Sequence, residues 1–184
     1  MVTGSPLEKE VIRKRIAVKW GISSILQDEP NTFSFMVNED RVKLSFFGTI
    51  TFGRVGEPFI TTDRALVVAS PIDLMATKLA VIFDRIEAKD YSDISALCRS
   101  GVSLELGLAA ATLLYPEFPE MECLRALTHF KGGDLDSLSE ETRAHLREMS
   151  ASVRELPQIE LKSLRLGAIE SNQKPSGSPD GMSF

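Results

Sequence analysis

The chain has 184 residues, a formal net charge of -5, 43% apolar and 26% charged side chains, enough for one domain with a real core. The acidic balance excludes binding of nucleic acid by bulk electrostatics, though it leaves room for a local basic cluster. No apolar run approaches the ~20 residues of a membrane span, no secretory h-region opens the chain, and neither Cys98 nor Cys123 has a CxxC partner, so two buried thiols in a cytoplasmic protein are expected.

Residues 7–20 mix Glu, Lys and Arg with Val11, Ile12, Ile16 and Val18, which predicts an amphipathic helix stopped by Gly21. The texture then changes to short β-rich runs. ISSILQ, TFSFMV, VKLSFF, TITFGRV and LVVAS read as strands of one small sheet over 22–69. Pro30-Asn31, Asn38-Glu39-Asp40 and Gly48 mark turns, and Gly53, Gly56 and Pro58 a bend or edge. Trp20, Phe46 and Phe47 are expected as core aromatics.

At Ser70 the period becomes helical. Ser70 suits an N-cap, Pro71 the first helical position, and Asp73 stands three residues after the cap. Leu74, Met75, Leu79, Ile82 and Phe83 follow at helical spacing. A break at Glu87-Ala88 leads to a second helix with Tyr91, Ile94 and Leu97, closed by Gly101. Further helices are predicted over 104–114, 120–130 and 139–155, separated by Pro116, Pro119 and Gly132-Gly133. The apolar-poor segment 167–184 reads as a disordered tail after a domain of 1–166. Strands first and helices afterwards predict an α+β fold, a sheet followed by a helical subdomain over 70–156.

The informative residues are Lys78, Arg85, Lys89, Asp90 and Asp93. Lys78 and Arg85 stand two helical turns apart and are expected to share a face; Asp90 and Asp93 neighbour one another on the next helix. Two cations beside two carboxylates can hold a polyphosphate, Arg by forked contacts and Lys as a point charge. The competing reading is solvated charge, with Lys89 and Asp93 as a surface i,i+4 pair and Asp84 beside Arg85. Other candidates point to structure: His129 and His145 lack acid or cysteine support. Gly53-Arg54-Val55-Gly56 reads as a sheet turn, and Asp134-Leu135-Asp136 as a polar loop between helices.

DLMATKL, then Arg85, then KDYSDISAL form the pattern KL-x5-R-x3-KD-x2-D, which resembles the AbiEii/AbiGii-type nucleotidyltransferase toxins of type IV toxin–antitoxin systems, associated with abortive infection. The resemblance extends upstream through VKLSFFGTITFGRVGEP and downstream through GVSLELGLAAA and LRALTHF to Leu156-Pro157. It implies a nucleotidyltransferase-like mixed sheet with a helical C-terminal part. It also implies nucleotide transfer from a triphosphate with Mg2+, and a cognate antitoxin. Lys78, Arg85 and Lys89 would face nucleotide phosphates, and Asp90 and Asp93 would belong to the catalytic motif.

Such proteins are expected to carry an early glycine turn followed by an Asp-x-Asp pair that holds divalent metal. Here Gly4-Ser5 is followed by RIAVKW without a carboxylate, and Ser45 stands where a strand acid is expected. The expectation is therefore an incomplete sheet, missing its first strands and its metal-binding core. Three functions compete: a nucleotide-transferring toxin, a truncated or degenerate non-catalytic module retaining nucleotide or partner affinity, and a plain interaction protein. The metal carboxylate pair separates the first from the second.

Overall fold

A computed structural model describes residues 6–39, 41–48, 53–63 and 66–164. Helix α1 (Lys9–Trp20) is followed by β1 (Ile22–Glu29), β2 (Thr32–Val37) and β3 (Val42–Phe47), then β4 (Phe59–Ile60) and β5 (Val67–Val68). The helical part holds α2 (Pro71–Asp84), α3 (Ala88–Arg99), α4 (Leu104–Leu114), α5 (Glu120–Ala126) and α6 (Glu140–Ser152), with a 3-10 turn at Leu135–Ser137. The fold is α+β, and its strand pairings are antiparallel among the described residues.

The single expected sheet divides into two, one ordered β1-β2-β3 and the other a short β4-β5 hairpin. The cause lies in the residues between them. The backbone N–H groups of Val55 and Gly56, which a continuing strand would pair in a ladder, donate instead to the buried Asp73 carboxylate, at 2.8 Å for Val55. Arg54 pairs with Ser163 of the C-terminal segment, its N–H donating to the Ser163 carbonyl at 2.9 Å. The first four residues of the expected strand TITFGRV, and the expected tail over 167–184, lie outside the described residues.

Two separate cores result. Phe33, Phe35 and Val37 of β2 are buried beneath Ile12 and Ile16 of α1, with Leu44 and Phe46 alongside. The larger core is helical, with Met75, Leu79, Ile94, Leu108, Leu127, Leu135 and Leu146 fully buried. α2 and α4 meet closely because Gly107 has no side chain; a Cβ there would come within 2.3 Å of Met75 Cγ. Burial of this many large apolar side chains, each worth about 1.5–3 kcal/mol, makes the helical part the stable half.

Four apolar assignments change. Trp20 is 52% exposed and Phe47 38%, while Phe46 does pack, stacking on Phe35 with centroids 5.8 Å apart. Trp20 is the last residue of α1, beyond the stretch that Ile12 and Ile16 hold against the sheet. Leu74 and Phe83 are also exposed, so the buried stripe of α2 is Met75, Ala76, Leu79 and Ile82. α5 stops at Ala126 rather than 130, where the Thr128 hydroxyl donates to the Arg125 carbonyl and competes with the helical ladder.

Candidate functional site

The first turn of α2 is fixed from both sides. Ser70 caps it, accepting from the Asp73 N–H at 3.2 Å and donating its hydroxyl to Asp73 Oδ2 at 2.6 Å. Gly56 lies so close that a Cβ would sit 1.9 Å from Ser70 Oγ. Asp73 is thus an anchor between the Val55-Gly56 bend and α2. Its burial explains why an ordinary first-turn acid here does more than complement the helix dipole.

One to three turns further on, the cations converge. Lys78 Nζ donates to Asp90 Oδ1 at 2.9 Å and also bridges to Asp93 Oδ2. Arg85 approaches the same Asp90 carboxylate with two nitrogens, Nε to Oδ2 at 2.9 Å and a terminal nitrogen to Oδ1 at 3.3 Å. The Asp90 side chain is fully buried, Lys78 is 19% exposed, and Arg85 and Asp93 are about half exposed. A buried carboxylate is tolerated only with such paired and hydrogen-bonded partners.

The convergence does not arise as the spacing suggested. Arg85 does not extend the helical face of Lys78: it caps α2 in an extended conformation, φ -151° and ψ 139°. The chain reverses direction through 85–87, and this brings the guanidinium back over Asp90. Lys89 stays apart, 62% exposed and paired with Glu87 at 2.6 Å; it neither joins the Asp90 cluster nor forms the i,i+4 pair with Asp93. The reversal is held from behind by Asp134, whose carboxylate accepts the Ala88 N–H at 2.6 Å and caps α3 where Glu87 does not. Asp134-Leu135-Asp136 is thus an interhelical loop, and one of its acids serves a backbone donor.

The electrostatics follow the geometry. Burial disfavours the Asp90 carboxylate, but the hydrogen bonds from Arg85 and Lys78 outweigh it and hold the group below the usual Asp range. Burial likewise works against the Lys78 ammonium, yet Asp93 and Asp90 raise it above the ordinary Lys value. Asp90 raises Arg85 too. Both cations are therefore charged throughout the physiological range.

The implied divalent metal does not fit these residues. Both Asp90 oxygens are committed to cations, and no group of three or more His, Cys, Asp or Glu side chains is placed to hold a metal among the described residues. Ser45 Oγ instead accepts from Ser34 at 2.9 Å across β2 and β3. Cys98 and Cys123 are free thiols, pushed by burial to about 11 and about 12. His145 pairs with Ser95 of α3 at 2.8 Å.

An α+β chain whose helical part focuses a Lys and an Arg on one buried carboxylate matches a known family model over residues 15–171, described as nucleotidyl transferase AbiEii toxin, Type IV TA system. The match covers most of the chain, and the protein belongs to that family. No curated protein and no solved structure matches it.

Proposed function

We propose that this chain engages a nucleoside triphosphate as part of a type IV toxin–antitoxin toxin, through Lys78 and Arg85, with Asp90 as the positioning residue between them. The observation that carries this is the shared carboxylate. Asp90 takes one bond from Lys78 and two from Arg85, and each cation keeps an exposed portion. Two cations held at fixed separation suit phosphate oxygens, because little side-chain entropy remains to be lost on binding. Asp93 is the exchangeable partner: it is half exposed and its one ion pair among the described residues is with Lys78, so an incoming phosphate can take its place. Lys89 is more exposed and held by Glu87, so its proposed part in nucleotide binding is the weaker one.

Full nucleotide transfer is the function proposed for the family, with Asp90 and Asp93 in its motif, Mg2+ as cofactor, a cognate antitoxin as partner and the cytoplasm as the setting. A second reading, a non-catalytic module that binds nucleotide or partner, is favoured by one observation: both Asp90 oxygens are already engaged by cations, whose charge opposes a divalent metal there. Isothermal titration of the chain with ATP, CTP, GTP and UTP tests the common element. Binding of at least one at millimolar concentration or below is expected, and Lys78→Ala should weaken it by about 1–3 kcal/mol, the scale of a charged hydrogen bond. No heat with any nucleotide would leave the cluster a structural pin between α2 and α3. Robust Mg2+-dependent labelling of RNA or protein would reject the non-catalytic reading.

A further inference from the structure

The loop between α5 and α6 lies against the chain reversal that carries Arg85. Gly133 holds a left-handed φ of 53°, and a Cβ there would come within 1.8 Å of the Ile86 carbonyl oxygen. A backbone oxygen cannot swing aside as the end of a flexible side chain can, so this approach requires glycine. The next residue, Asp134, accepts the N–H of Ala88, the first residue of α3, at 2.6 Å. Asp134 stands on a fixed base. Its carbonyl accepts from the Ser137 N–H at 2.9 Å and from the Ser137 hydroxyl at 2.7 Å. Leu135 is fully buried in the helical core, and Arg143 of α6 donates to the Leu135 and Asp136 carbonyls, each at 3.0 Å.

We infer that Gly133 and Asp134 are positioning residues for the Arg85 guanidinium, acting through the backbone of residues 86–88. Arg85 and Asp90 stand on either side of that turn, so its path sets how the guanidinium forks onto the carboxylate. The turn supplies no cap of its own: Glu87 makes no side-chain capping bond, and Arg85 has already left the helical conformation. Without the Asp134 carboxylate the start of α3 is unpinned, and Arg85, 45% exposed, is free to turn into solvent. Lys78 is the internal control. It projects from within α2 and reaches Asp90 without passing through the turn, so its bond should survive. Asp134 is itself exposed, so replacing it leaves no hole in the core. A cap that served stability alone would leave the Arg85 geometry unchanged when weakened.

The test has two readouts on the full chain, and only the second rests on the nucleotide reading. The first is the NMR signal of the Arg85 Nε–H, identified by its loss in Arg85→Lys. Bonded to Asp90, it should be shifted from free arginine side chains and protected from exchange in the wild type. Asp134→Ala should return it to the free position, and Asp134→Asn, whose amide oxygen still accepts from Ala88, should restore it. Gly133→Ala should lose it with Asp134 in place, which keeps the test open should Asp134→Ala fail to fold. Lys78→Ala should keep it. The second readout is triphosphate affinity: Asp134→Ala should weaken it about tenfold, and by less than about twofold in an Arg85→Ala background, where the positioned group is gone. The inference is overturned by an unprotected Arg85 signal in the wild type, an unchanged one in the folded variants, or no restoration by Asp134→Asn. Additive losses of affinity for Asp134→Ala and Arg85→Ala also overturn it. A signal that responds as expected in a chain that binds no triphosphate upholds the positioning role and refutes the nucleotide reading alone.

Discussion

Lys78 and Lys19 are the same residue type on two helices of one chain, and their surroundings give them opposite characters. Lys78 is largely covered and spans two carboxylates of α3, whereas the exposed Lys19 leans over Trp20 with no ion pair among the described residues. The first is fixed before any ligand arrives and is integral to the packing of α2 on α3. The second is loosely held and contributes almost nothing to the fold. What a cation can do therefore depends on what lies across from it, and a preorganised pair suits a small, highly charged ligand.

The comparison is broken most directly at its buried member. Asp90→Asn should lower stability by about 3 kcal/mol, since it removes the charge that Lys78 and Arg85 were folded around. Urea unfolding measures this; a loss below about 0.5 kcal/mol would mean that the cations are held by something else. Lys78→Ala should cost less, about 1–2 kcal/mol, because Arg85 remains forked on Asp90.

Acid titration sharpens the same contrast. The folded Asp90 value lies below the unfolded one, so its contribution is fully present above the ordinary Asp pKa of about 4 and is lost as pH falls through the lowered folded value. Lys78 runs the other way: its contribution is present below about pH 10.4 and is lost as pH rises through its raised folded value. The cluster should thus add no slope to stability between about pH 5 and pH 10, and the gap between wild type and Asp90→Asn should close in acid. A gap that narrows between pH 6 and 8 would contradict the assignment. The smallest effect belongs to α1, where Lys14, Arg15 and Lys19 are exposed and Lys14→Gln/Arg15→Gln/Lys19→Gln should change stability by no more than about 0.5 kcal/mol.

The helical half of the molecule was legible in the sequence because its signals are local. Ser70, Pro71 and Asp73 mark the start of α2, Gly101 follows the end of α3, and period 3.6 marks the buried stripe. The sheet half was less so, because pairing is decided by distant residues. Nothing near Val55 announces that Asp73 will take its N–H, or that Ser163 will return to Arg54. Trp20 was misplaced for a similar reason: aromatic residues favour cores on average, and only the position of the helix end against the sheet shows that this one is left in water. In the candidate site, the residues Lys78, Arg85, Asp90 and Asp93 were readable from the motif, but the manner of their meeting was not. It depends on the extended backbone of Arg85 and on the Asp134 cap of α3, both set by tertiary packing.

The central claim, that Lys78 and Arg85 are held by Asp90 for the phosphates of a nucleotide, is tested most directly by ligand-induced stabilisation. Wild type and Lys78→Ala are unfolded in urea with and without one fixed, excess concentration of the tightest-binding triphosphate. The ligand-free curves remove the variant's own loss of stability, and the difference with ligand reports affinity alone. Wild type should gain about 2.7 kcal/mol at a hundredfold excess over its dissociation constant, and the variant about 1–2.4 kcal/mol less at the same ligand concentration. An equal gain in both, or none in either, would contradict the account and leave the cluster as a structural pin.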